Sequence, residues 1–447
     1  MGSILTSYKI LLGVILFQKA YFTRGLQDLI VTLFSRGGSM LIGLAMQSAL
    51  AWVLGPEMRG EYAICLIFST FAATFFTFGI DWAASYFSAS KDKPLNEVAG
   101  FCSLYYLLLL AIMLPSLLLI IDTPIKFFEQ ASPQAFTLSI AWASAIVAYN
   151  ISAGFLRGLR MFSILAAITL SKALLSLLTT LLLFHATDLD VQAPIWADLA
   201  STVIAICTMA IMLSKKQGLR LQKPSYHVMA DLFSYGGRMF VGSIGMMTNL
   251  RIGTILVAFY LTKDEIGYFA LAMALLTQVG TLADVVNNVT LPRIAESKCG
   301  RVDLVSKSAR CVSTFVFILG ILLIATAEWL IPILFSESFY PAIAILFILY
   351  PGMWLRSLCK VLFAYFNGIN KPQLVSINMA VNIFFNIIFL TSFIPLWGLH
   401  GAAWAVTASN FLSSIFLVYY YFKLSGSNFQ NIFLVTKKDF YKGGQLS

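Results

Sequence analysis

Three cations of this chain lie deep inside long apolar runs, where a charge is hardest to keep, rather than toward their cytoplasmic ends, and they are its first candidates for chemistry. Arg251 sits in the run at 230–261, Lys172 in the run at 162–184 and Arg356 in the run at 341–366. An ionisable side chain at the centre of a membrane helix costs about 2.5–3.5 kcal/mol on insertion scales, so each needs a compensating role. Arg251 carries a permanent charge on a planar fork that can grip a diphosphate through two parallel hydrogen bonds. The plainer alternative is a structural pair with a carboxylate such as Asp81 or Asp284. Lys172 is too deep in its run to snorkel to either interface. Arg356, just beyond Pro351, and Arg36, at the start of the first run, could line a path for an anionic headgroup. For Arg36 the ordinary role of a flanking cation is the competing reading.

Amides form the second set. Asn378, Asn382 and Asn386 recur every four residues and so share one helical stripe, and Asn249 lies two residues before Arg251. Such groups can bind sugar hydroxyls in a wet cavity, or join helices at about 0.6–2 kcal/mol per contact. Asp81 and Asp284 close the second and eighth apolar runs. There they could take up protons and couple ion movement to transport, or simply meet water at a helix end. The chain holds no GxxxxGK[ST], HExxH or GxSxG pattern and no metal-like spacing among its six cysteines. No cofactor is therefore expected, and H+ or Na+ is the expected source of coupling.

The elements that must position these residues are about a dozen apolar stretches, at 28–54, 61–88, 98–121, 135–156, 162–184, 195–213, 230–261, 266–290, 311–335, 341–366, 373–394 and 399–422. Each is long enough for a helix to cross roughly 30 Å of hydrocarbon. Charged residues make up 11% of the chain and mean hydropathy is +0.84, which excludes a soluble fold. Of the 30 Lys and Arg, 24 fall on one set of alternate loops and termini, and only Arg59, Lys126 and Lys263 on the other. By the positive-inside rule both termini are cytoplasmic. The net charge of +10 then belongs to a basic face beside anionic lipid headgroups, with no nucleic acid needed.

The expected organisation is an interfacial amphipathic helix over 1–24, a first lobe over 25–213, a basic cytoplasmic linker over 214–229, a second lobe over 230–424 and a cytoplasmic tail over 425–447. The lobes repeat each other. Phe34-Ser35-Arg36-Gly37-Gly38 opens the first run and Phe233-Ser234-Tyr235-Gly236-Gly237 the seventh. Arg59-Gly60-Glu61-Tyr62 corresponds to Ile266-Gly267-Tyr268-Phe269, and Leu156-Arg157-Gly158-Leu159 to Phe366-Asn367-Gly368-Ile369, with an offset drifting from 199 to 210. Six helices is an even number, so both copies enter from the same side. The fold expected is all-α and integral to the membrane, with 12 transmembrane helices as two parallel six-helix repeats around a central cavity.

Several segments carry a family resemblance. Leu54-Gly55-Pro56-Glu57-x-x-Gly60-Glu61-Tyr62, Arg157-Gly158-Leu159-Arg160 and Leu291-Pro292-Arg293 resemble the oligosaccharide flippases. These are the O-antigen-flippase-like polysaccharide transporters of the multidrug/oligosaccharidyl-lipid/polysaccharide exporter superfamily. The resemblance implies a monomeric flippase in the cytoplasmic (inner) membrane that works by alternating access. Its substrate would be a polyprenyl-diphosphate-linked oligosaccharide, such as a repeat unit of lipopolysaccharide O-antigen. Its partners would be membrane lipids and polysaccharide assembly proteins. Arg251 and Lys172 would then meet the diphosphate, and the asparagines the glycan. The peptidoglycan lipid II branch usually has fourteen spans, against twelve here. A cation-coupled multidrug exporter of the same superfamily is the main alternative, though it would favour an anionic, aromatic cavity over a basic one. A membrane glycan polymerase or ligase would need a catalytic loop outside, and no outer loop exceeds about 15 residues.

Overall fold

The computed structural model describes the backbone of residues 2–426 except 91, 122–129, 188–189, 219–220, 297–300 and 370. Side chains are described outside 1–37, 39–40, 114, 116–121, 216–217, 282, 284–296 and 301 as well. Among the described residues the chain is all helix, without a strand. Eleven α-helices follow one another: α1 Gly2–Thr77, α2 Ile80–Ser90, α3 Leu95–Ile121, α4 Pro133–Gly158, α5 Phe162–Ala186, α6 Gln192–Gln217, α7 Tyr226–Tyr260, α8 Lys263–Glu296, α9 Arg301–Phe335, α10 Ala342–Gly368 and α11 Pro372–Ser425. Nine helices among the described residues are long and apolar enough to cross a membrane, so this is a multi-pass membrane protein.

Two of these helices each hold two of the expected runs. In α1 the helical path breaks at Gly55, whose φ of 66° and ψ of −176° lie where a side chain would clash. Pro56 follows, with φ already suited to a first helical turn and no N–H to leave unpaired. The runs 28–54 and 61–88 are thus joined by a tight reversal rather than a loop. The second run is broken again at Phe78 and Gly79, both at positive φ, before it resumes as α2. In α11 Gly398, at φ 54° and three residues after Pro395, makes the same kind of break between the runs 373–394 and 399–422.

Packing divides the molecule into three apolar cores. One is shared by both halves of the sequence, joining Leu50, Tyr62 and Ile64 to Ile266, Phe269, Leu346 and Leu390. The second joins Phe101, Val147 and Met209 of the first half, with Val228 and Leu232 from the start of α7. The third, with Val305, Leu358, Phe366 and Leu417, belongs to the second half alone. The halves therefore share a core at the end carrying the Gly55 reversal, while at the other end the start of α7 packs into the core of the first half. Large apolar side chains such as Leu108, Leu182, Ile321, Trp329 and Ile333 stand exposed around the outside. On a soluble protein that belt would aggregate; here it is the surface presented to lipid.

The linker is stitched to the first half. The Gln222 N–H donates to the Asn96 carbonyl at 3.3 Å. The Ser225 N–H donates to Glu97 Oε2 at 3.0 Å, and just past the linker Asp231 of α7 pairs with Lys93. Three expectations fall partly outside the described residues. They are the apolar face of the N-terminal helix, the side chains of Arg36 and Asp284, and the tail beyond residue 426.

Candidate functional site

Asp198 is the centre of the first polar cluster, two turns inside α6. Its Oδ1 accepts from Ser176 Oγ at 2.6 Å and its Oδ2 from the Tyr62 hydroxyl at 3.0 Å. Ser176 and Lys172 stand one turn apart on α5, so both face the same neighbour. The Lys172 ammonium lies 5.3 Å from the centroid of the Tyr149 ring, and within electrostatic reach of Asp198. Among the described residues no ion pair joins Lys172 to Asp198 directly. The Tyr149 hydroxyl is tied to Thr169 Oγ1 at 3.1 Å. One carboxylate, one ammonium and two phenols thus meet between four helices of the first half.

Arg251 belongs to the second half but looks toward this cluster. It is partly buried on α7, and Tyr62 is the titratable group within its electrostatic reach. Among the described residues no carboxylate or carbonyl binds its guanidinium. The structural pairing with Asp81 is not made, because Asp81 Oδ2 accepts from Arg157 at 3.0 Å and that guanidinium stacks 5.2 Å from the Trp82 ring. An uncommitted guanidinium in an apolar setting keeps both of its parallel donors for something else.

The asparagines form a network inside the second half. Arg356 donates to Asn249 Oδ1 at 2.8 Å, and Asn249 Nδ2 donates to Asn382 Oδ1 at 2.9 Å. Asn382 Nδ2 in turn reaches Asn410 Oδ1 at 3.1 Å and Ser413 Oγ at 3.0 Å. Spans from α7, α10 and both arms of α11 are joined this way. Asn378, Asn382 and Asn386 are at most 5% exposed. The amide of Asn382 is spent on protein partners, whereas Asn378 Oδ1 and Asn386 Oδ1 are buried without a hydrogen bond among the described residues. Asn382→Ala is expected to lower the melting temperature in detergent, because Asn249 and Asn410 each lose a partner, at about 1–3 kcal/mol for a buried group left unpaired. A melting curve coinciding with the wild type would show that water replaces the amide without cost.

The residues that sequence reasoning did not assign to the site are Asp198, Tyr62, Ser176, Tyr149 and Asn410. Asp198 lies inside the run at 195–213, so the argument applied to Arg251 applies to it equally. Among the described residues no group of three or more His, Cys, Asp or Glu could hold a metal ion.

An all-helical bundle with nine helices among the described residues able to cross a membrane defines the class of polytopic membrane proteins. Residues 49–344 match the family of polysaccharide biosynthesis proteins, and the chain belongs to that family. It is 24% identical over 259 residues to the probable low-salt glycan biosynthesis flippase Agl15 of Haloferax volcanii. That match takes in 56% of this chain and 53% of the relative, so the chain spans about half the length of that relative. Its fold resembles the lipid II flippase MurJ in an inward closed conformation, with a TM-score of 0.74, 17% identity, and 91% of this chain and 89% of that one covered. It also resembles the inward-facing conformation of a multidrug resistance MATE family transporter of the MOP superfamily, with a TM-score of 0.69, 18% identity, and coverage of 89% and 98%.

Proposed function

We propose that this protein is a flippase that moves a polyprenyl-diphosphate-linked oligosaccharide from the cytoplasmic to the outer leaflet. The observation that carries the reading is Arg251, a permanent cation between the halves that faces Tyr62 and has no carboxylate or hydrogen-bond acceptor among the described residues. Arg251 holds the diphosphate, Lys172 supplies a second positive charge across the cavity, and Arg356 lines the approach from the cytoplasm. Asn249 orients Arg356, while Asn378 and Asn386, with their spare acceptors, are the amides left for glycan hydroxyls. Asn382 braces them. The isoprenoid tail stays in the bilayer, so only the polar head crosses.

Twelve crossings in two parallel six-helix repeats give the protein two lobes that rock about this site. The lobes share a core at the end that the charge asymmetry puts outside, which fits a cavity open to the cytoplasm. Binding must differ between the two states for transport to be driven, and a buried titratable group supplies that difference. Three carboxylates could act here. Asp81 is already held by Arg157, and the side chain of Asp284 lies outside the described residues. Asp198 is the one set beside a movable ammonium: a proton on it cancels its attraction for Lys172 and leaves that cation to the substrate. A basic site repels cationic drugs, which places the multidrug exporter second.

The test is reconstitution into liposomes holding a fluorescent polyprenyl-diphosphate oligosaccharide, with an impermeant sugar-oxidising reagent to report the leaflet. The expected result is protein-dependent crossing, faster than in empty liposomes. No crossing under pH or sodium gradients of either sign, together with transport of a cationic dye, would move the assignment to the exporter.

A further inference from the structure

Four successive residues at the start of the second crossing, Arg59 to Tyr62, touch both halves of the molecule. A Cβ added to Gly60 would lie 2.0 Å from the carbonyl oxygen of Lys263, and one added to Gly267 would lie 2.2 Å from the carbonyl oxygen of Pro56. Gly60 and Gly267 are 207 positions apart, and so are Pro56 and Lys263. The contact is therefore reciprocal: each half lays its glycine on the backbone that begins the same helix in the other. Only a residue without a side chain allows so close an approach.

Polar groups ring this point. Lys263 Nζ pairs with Glu61 Oε2 at 3.5 Å, and Glu61 Oε1 accepts from the Ser132 N–H at 2.8 Å. The Gln130 side chain donates to the Leu261 carbonyl at 3.4 Å. Arg59 is 2% exposed; it donates to Gln47 Oε1 at 2.6 Å and stacks 5.3 Å from the Phe339 ring of the second half. The next residue, Tyr62, donates to Asp198. Any movement of this turn is therefore felt by the carboxylate of the polar cluster.

The geometry points to a latch: the reciprocal Gly60–Lys263 and Gly267–Pro56 contacts hold the outer side shut, and Tyr62 positions Asp198 according to whether the latch is closed. For the cavity to open outward the two backbones must part. Tyr62 then travels with its helix, and Asp198 loses the donor that marks the closed state. Tyr62 acts here as a positioning residue, not as a ligand of the cargo. The latch rests on the proposed alternating access but not on the identity of what is carried.

The experiment uses full-length protein in nanodiscs, with nitroxides at exposed Glu57 and Asp264 (Glu57→Cys and Asp264→Cys) in a background lacking the six native cysteines. Pulsed distance measurement without substrate should give one short population. Gly60→Ala and Gly267→Ala should each move most of it to longer distances, whereas Gly245→Ala, whose added methyl meets nothing within 4 Å, should not. Wild-type distances in both latch variants would overturn the proposal. Should either variant fail to fold, a second arm keeps it testable. Glu61→Cys with Lys263→Cys, bridged by a short reducible bis-thiosulfonate, should stop lipid-linked glycan transport at least tenfold and recover on reduction. Unchanged transport in the bridged protein would overturn the latch as well. Because the distances are read without cargo, a wrong substrate and a wrong latch give different results.

Discussion

Arg251→Ala is expected to reduce transport of the lipid-linked oligosaccharide to the level of protein-free liposomes while raising the melting temperature. Truncating one partner of a desolvated charge pair costs about 2–5 kcal/mol. At 1.4 kcal/mol per tenfold, this is a loss of roughly thirty-fold to several thousand-fold in binding. The stability change runs the other way. In the substrate-free protein the guanidinium is partly buried, and among the described residues no carboxylate repays its desolvation. Removing it relieves that cost. A purely structural arginine would behave oppositely, with a lowered melting temperature and near-normal flipping, and that pairing of results would discard Arg251 as the diphosphate ligand. Arg251→Lys keeps the charge but loses the parallel donors, so partial recovery is expected. Both readouts come from one preparation: a thermal melt in detergent and the leaflet assay in liposomes.

Asp198→Asn is expected to uncouple the cycle rather than abolish binding. Asparagine is close to the same shape and still accepts from one of the two donors, Ser176 or Tyr62, so the four-helix junction survives. What disappears is the ability to be charged in one step and neutral in the next. Wild-type protein should flip faster when the cytoplasmic side is more acidic, because the proton that frees Lys172 for the lipid head crosses with it. The variant should lose at least tenfold of that stimulation and retain gradient-free exchange of labelled for unlabelled lipid. Equal stimulation in variant and wild type would move the coupling carboxylate elsewhere, with Asp284 the next to mutate. Lys172→Ala separates the two roles: it should weaken both driven and exchange transport, because it removes a charge that the substrate itself meets.

Much of this molecule could be read without coordinates because the bilayer is an unforgiving solvent. Apolar runs of membrane length and a basic set of alternate loops leave little choice but a helical multi-pass protein. Arg251 and Lys172 were legible for the same reason, as charges where hydrocarbon penalises charge. Less legible was Asp198. It obeys the same rule, but a position near the end of a run looks harmless until Tyr62 and Ser176 are seen closing over it. The asparagine stripe was visible as a stripe, yet its period is the same whether it faces a cavity or a neighbouring helix. Only packing against Asn410 and Ser413 turned Asn382 inward.

The sequence by itself determined the class, a helical multi-pass membrane protein, and the presence of costly charges. Each of these follows from local composition and from transfer energies that depend on residue type alone. Tertiary structure decided which charges are paired and which are left open. Asp81 is taken by Arg157, Asn249 by Arg356 and Asn382, and Arg251 by no described carboxylate. It also decided that Gly60 and Gly267, repeated letters in the chain, meet each other's helix starts. A span that is apolar nearly all round gives no account of its own rotation. Which side of it meets a partner, and at what distance, exists only once the helices have packed.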